Sequence, residues 1–164
     1  ERDAMIRWIA RVAGLCLPLS AFVICIDVVT RNFGYQIPGM GSTRLQEFEW
    51  HLHGVLILLW IGYVNQIDGH VRIDVISSQL SKRAGLWLEL LGLFAFALPY
   101  ASYLFYNSIE FASISYLQDE SSPSSSGLHN LWIIKGVMCF GLMLLWFSVF
   151  NRILITITGI SNDS

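Results

Sequence analysis

The residues with the most chemical potential stand together in Glu47-Phe48-Glu49-Trp50-His51-Leu52-His53. Carboxylates beside imidazoles could relay protons, bind a metal or pair with charges on a partner. Spacing narrows the choice. Successive helical residues turn by about 100°, so Glu47 and His51 share one stripe and Glu49 and His53 share another, about 200° away. His51 and His53 point to different faces and cannot hold one ion together without a break in the helix, so no metal site is expected. A second group is Gly69-His70-Val71-Arg72-Ile73-Asp74-Val75. These residue types describe a turn into a helix, with Arg72 and Asp74 solvated. His70, Arg72 and Asp74 are candidates for an interfacial motif touching lipid headgroups or another subunit. The chain has no glycine-rich phosphate loop, nucleophile elbow or HExxH, the patterns that give phosphoryl transfer, acyl transfer and metal-dependent hydrolysis a foothold. No catalytic residue, cofactor or metal ligand is expected, and the chain does not read as an enzyme.

The elements that must carry these groups are set by composition. Of the 164 residues, 54% are hydrophobic and 13% charged, against about 45–50% and 25% in soluble domains. The chain reads as an integral membrane protein. A formal charge of −2 offers no basic footprint for nucleic acid. Cys16, Cys25 and Cys139 all fall in apolar runs and read as packing residues, not a disulfide or metal framework.

A hydrocarbon core about 30 Å thick needs roughly 20 apolar residues in a helix. Four spans answer to that, at about 8-30, 45-67, 84-107 and 128-152. The first outruns a signal peptide without a small-residue cleavage site and is expected to stay as an anchor. Pro18 and Pro99 fall inside spans, where each removes a backbone hydrogen bond. Thr43 and Gln46 have the spacing of a capping box. Asp74 is placed to cap a short helix in which Val75, Ile76, Gln79, Leu80 and Arg83 recur at helical spacing, an amphipathic segment suited to the membrane interface. The third loop, Ser108 to Asn130, holds Glu110, Asp119 and Glu120 but no Lys or Arg. Its Ser121–Gly127 stretch is flexible or turn-forming. The expected fold is all-α: a single transmembrane domain over 1-164, with four transmembrane helices plus a short interfacial amphipathic helix between helices 2 and 3.

Orientation follows from the positive charges. Arg2, Arg7, Arg11, Arg72, Lys82, Arg83 and Arg152 fall on one side, and Arg31 and Arg44 on the other. Seven against two predicts that both termini and the second loop are cytoplasmic. Asp27, Arg31 and Lys135 then lie at the depth of the Glu47–His53 stretch. One stripe is expected to be satisfied within the chain through Lys135, and partly through an Asp27/Arg31 pair. The other would face a second membrane subunit, and we assign that role to Glu49 and His53.

The stretches Leu45-Gln46-Glu47-Phe48-Glu49-Trp50-His51, Asp68-Gly69-His70-Val71-Arg72-Ile73-Asp74-Val75 and Glu120-Ser121-Ser122-Pro123, with Gly127-Leu128 and Lys135, resemble the small membrane subunit (DctQ-type small permease) of TRAP, or tripartite ATP-independent periplasmic, transporters. The resemblance covers nearly the whole chain. It implies pairing with a large permease subunit that carries the sodium and substrate sites. It also implies a periplasmic substrate-binding protein that delivers an organic acid, and a location in the bacterial inner membrane. On that reading this chain holds no cofactor and acts as a scaffold. Two alternatives remain from the residues. One is a haem-binding membrane anchor of a respiratory complex, which would need His129 with His51 or His53 at matching depth. The other is a stand-alone transporter or channel, which would need a polar stripe through the full depth.

Overall fold

The computed structural model describes residues 2–35, 37–66 and 81–162. Among them the chain is all-α. Its helices are α1 (Arg2–Gly14), α2 (Cys16–Asn32), α3 (Ser42–Gln66), α4 (Lys82–Gly92), a π-helical turn (Leu93–Ala97), α5 (Leu98–Leu117) and α6 (Trp132–Asn162). The two prolines expected inside spans mark irregularities. Pro18 has no N–H for the Gly14 carbonyl, and the helix breaks just there, at Leu15, whose N–H turns back to Val12 O at 3.1 Å. Pro99 leaves the Ala95 carbonyl without its usual donor, and the π turn that precedes α5 absorbs the fault.

The helices stand in a row. α1 and α2 pack on α3, α3 packs on α6, and α6 packs on α4 and α5. Trp60 ties the first junction, donating its indole N–H to Ala10 O at 2.7 Å across the α1–α2 break. Val23, Leu45 and Leu52 form the apolar seam between α2 and α3. Between α3 and α6, glycine permits backbone contact. A Cβ at Gly62 would lie 3.1 Å from the Leu144 carbonyl carbon, and one at Gly141 would strike the Leu58 carbonyl. On the other side Ala101, Ser108 and Ser115 are buried at intervals of seven residues, small side chains that let α5 approach α6 closely. Trp146 donates to Ser102 Oγ at 3.0 Å, and Ser102 donates in turn to Leu98 O. Arg152 Nε meets Glu89 Oε1 at 2.7 Å between α6 and α4. The total accessible area of 10,994 Å² exceeds the roughly 8,200 Å² of a compact soluble monomer of this mass. The excess belongs to apolar faces: Phe96, Tyr103, Tyr106 and Leu117 are among the many large side chains left exposed.

Three helical stretches are long and apolar enough to cross a membrane: Arg7–Asn32, Arg83–Leu117 and Trp132–Ser161. α3 has the length, 25 residues or about 37 Å, but Arg44, Glu47, Glu49, His51 and His53 lower its apolarity. The third span does not end at 107. It continues to Leu117, because Ile109, Phe111 and Ile114 sustain an apolar helix around Glu110. The fourth begins at Trp132 and not at Leu128, which belongs to the third loop. The expected capping box does not form either. α3 opens at Ser42, which puts Thr43 inside its first turn, and Gly41 O receives the first N–H groups. The interfacial segment with His70, Arg72 and Asp74 lies outside the described residues.

Candidate functional site

The densest polar structure caps the loop end of the row. α5 ends in a Schellman motif: Asp119 takes the left-handed conformation at φ 47°, and Glu120 N–H reaches back to Ser115 O at 3.1 Å. That turn aims Glu120 at Lys135, one turn into α6, and the two form an ion pair. The Lys135 ammonium also sits 3.8 Å from the centre of the Phe111 ring, a cation–π contact. Lys135 holds the Glu120 carboxyl below the ordinary carboxylate range, so the pair persists at neutral and mildly acidic pH. Tyr116 and Trp132 close the base of the loop edge to face, their rings 5.3 Å apart.

The serine-rich loop above this base is folded. Ser122 N–H donates to Leu128 O, Gly127 N–H to Ser124 O, and Ser124 N–H to Ser122 Oγ. α3 holds the loop from the other side. Glu47 Oε1 accepts from Ser122 Oγ at 2.5 Å and Oε2 from Leu128 N–H at 2.6 Å. Arg44 Nε donates to Ser126 O and Gly127 O, and its Nη1 to Gly39 O at 2.7 Å in the first loop. Gly127 is buried beneath this clamp, and any Cβ there would collide with Ser122 and with Glu47 Oε1. The first loop is equally specified: Gly34 (φ 64°) ends α2, and Pro38-Gly39 (φ 78°) makes the turn into α3.

The two stripes of α3 now have distinct surroundings. Glu47 and His51 face α6 and the third loop, where Glu47 has both oxygens engaged and His51 Nδ1 lies 2.6 Å from Glu47 O. Lys135 does not serve this stripe; it is taken by Glu120. Asp27 likewise accepts from Ser42 Oγ at 2.6 Å in place of the expected Arg31 pairing. Glu49 and His53 lie on the opposite side, beside the exposed Gln46, Trp50 and Ile57. His53 Nδ1 lies 3.3 Å from Glu49 O, while the Glu49 carboxylate has no hydrogen-bond or ion-pair partner among the described residues.

A family model described as "Tripartite ATP-independent periplasmic transporters, DctQ component" matches residues 20–159. The chain belongs to this family. No curated protein and no solved structure matches it. The DctQ match takes in the entire loop clamp, from Arg44 and Glu47 to Glu120 and Lys135. Within this DctQ chain the haem-anchor alternative gains no support: His129 lies in the third loop, 3.0 Å from Ser121 Oγ, and both α3 histidines turn Nδ1 to a helix carbonyl. Glu120, Ser122 and Gly127 stand in the stretches that carry the resemblance, but their contacts do not follow from spacing: Ser122 meets Glu47 from 75 residues away. The Glu89–Arg152 pair, 63 residues apart, had no local sign at all.

Proposed function

We propose that this DctQ-family chain is the scaffold for the large permease subunit of its TRAP transporter. That transporter takes up an organic acid, delivered by a periplasmic binding protein and driven by sodium. The sodium and substrate sites then belong to the large subunit. The observation that carries this reading is the row of helices, which leaves long apolar flanks uncovered among the described residues. The polar contacts of α3 with the third loop gather at its outer end. Deeper in, Gly141 meets the Leu58 backbone and Gly62 meets Leu144, which closes any aqueous path between these two helices. A fixed partner wall suits such a shape better than a channel does.

α3 completes a set of four crossings on this reading. It stands between α2 and α6, both parts of stretches apolar enough to cross, and must share their depth. Asp74 to Arg83 supplies the interfacial helix. The positive charges put both termini and residues 68–83 in the cytoplasm and the clamped loop outside, in a bacterial inner membrane. A cysteine at Ser124 should then react with an impermeant thiol reagent from the periplasmic side, and one at Ser78 should not. The reverse pattern overturns the orientation.

The functional test is reconstitution. Vesicles containing the large subunit and this chain, with the binding protein and an inward sodium gradient, should accumulate the organic acid. Omitting this chain should lower uptake at least tenfold, and this chain alone should give none. Equal uptake without it refutes the scaffold role.

A further inference from the structure

We infer that the partner on the Glu49–His53 flank of α3 is a membrane-spanning helix that presents an arginine to Glu49. This rests on the proposed pairing with a large permease subunit and names the chemistry that subunit must supply. Of the two carboxylates that open α3, Glu47 is consumed inside the chain by Ser122 and Leu128, whereas Glu49 has no partner among the described residues. None of the cations among the described residues pairs with Glu49. Lys135 is held by Glu120, Arg44 by three carbonyls of the two loops, and Arg31, exposed at the end of α2, makes no ion pair with Glu49.

His53 sharpens the choice of partner. Its Nδ1 lies 3.3 Å from the Glu49 carbonyl, which only accepts, so the tautomer that bonds there carries its proton on Nδ1 and leaves Nε2 as an acceptor. Glu49 and His53 therefore present two acceptor sites about 6 Å apart along the helix. A guanidinium, with five donors in a fixed fork, fits such a pair better than a compact ammonium. On the same side Trp50 is 64% and Ile57 62% exposed, with Gln46 exposed at the loop end. An aromatic anchor beside a desolvated charge pair is the pattern of tight helix recognition, and charges at membrane depth pair with one another.

The test is co-purification of this chain with the large subunit from membranes. Failure of the unmodified chains to co-purify counts against the scaffold proposal itself. If they do co-purify, Glu49→Arg should reduce recovered complex at least tenfold, Glu49→Gln about threefold, and Ser124→Ala not at all. Replacing by glutamate, one at a time, each arginine in the outer third of the large subunit's spans should identify one position that restores binding to Glu49→Arg. The inference is overturned if Glu49→Arg assembles normally, or if it fails to assemble and no glutamate restores it. It is equally overturned if Glu49→Arg leaves the complex intact but changes the co-purified aminophospholipid, because a headgroup then occupies the flank.

Discussion

Gly141→Ala should lower the melting temperature of the detergent-solubilised chain by roughly 5 °C, while Gly136→Ala on the same helix leaves it unchanged or raises it. Both substitutions replace a helical glycine, and on propensity alone each should stabilise by about 0.5–1 kcal/mol. The difference lies in what the new methyl group meets. At Gly136 nothing stands within 4 Å, whereas at Gly141 it strikes the carbonyl and Cβ of Leu58. Backbone cannot rotate away as a side chain does, so α3 and α6 must separate, at a cost of about 1–3 kcal/mol for an overpacked contact. Circular dichroism melts of the two variants make the comparison. Equal melting temperatures would show that the two helices are not in backbone contact.

Glu47→Ala should free the serine-rich loop without unfolding the helices beneath it. Two charged hydrogen bonds vanish, each worth about 1.5–3 kcal/mol when well shielded and less here, since Glu47 is only partly buried. Hydrogen exchange at the Ser122 and Leu128 amides should accelerate at least tenfold, because Glu47 receives Leu128 N–H directly and fixes Ser122, whose own N–H returns to Leu128 O. Glu47→Gln keeps one acceptor oxygen and should fall between. Glu49→Gln touches nothing in the loop and should exchange like the unmodified chain. Unchanged protection in Glu47→Ala would mean that Arg44 and the loop's own turns hold the cap unaided.

The helical class, three of the four expected apolar spans and the two proline faults were legible in the sequence because each is a local property of 20 or so residues. The end of the third helix was not. Asn107, Ser108 and Glu110 look like the start of a loop, but Ser108 is buried against α6 and the helix runs on through them. Ser121–Gly127 carries every local mark of a flexible linker, and what folds it is a carboxylate 75 residues earlier. Lys135 was expected to serve a stripe of α3; its choice of Glu120 instead depends on a left-handed turn at Asp119, a residue type that tolerates that conformation without announcing it. The two stripes of α3 could be separated by angle alone. Which of them turns inward depended on where α6 and the third loop come to rest.

The stretch Arg83–Leu117 is 35 residues long, about 52 Å of helix against a hydrocarbon layer of about 30 Å. Large apolar side chains are exposed at intervals from Trp87 to Leu117, interrupted by the exposed Ser113 and Glu110 near the loop end. Laid entirely within that layer, the helix leans about 55° from the membrane normal and sweeps about 40 Å sideways. At such a slant, thickness becomes rotation: each ångström added to the bilayer turns the helix upright by about 1°. Membranes of different acyl-chain length would therefore set the footprint of this chain and the angle of the wall it offers its neighbour.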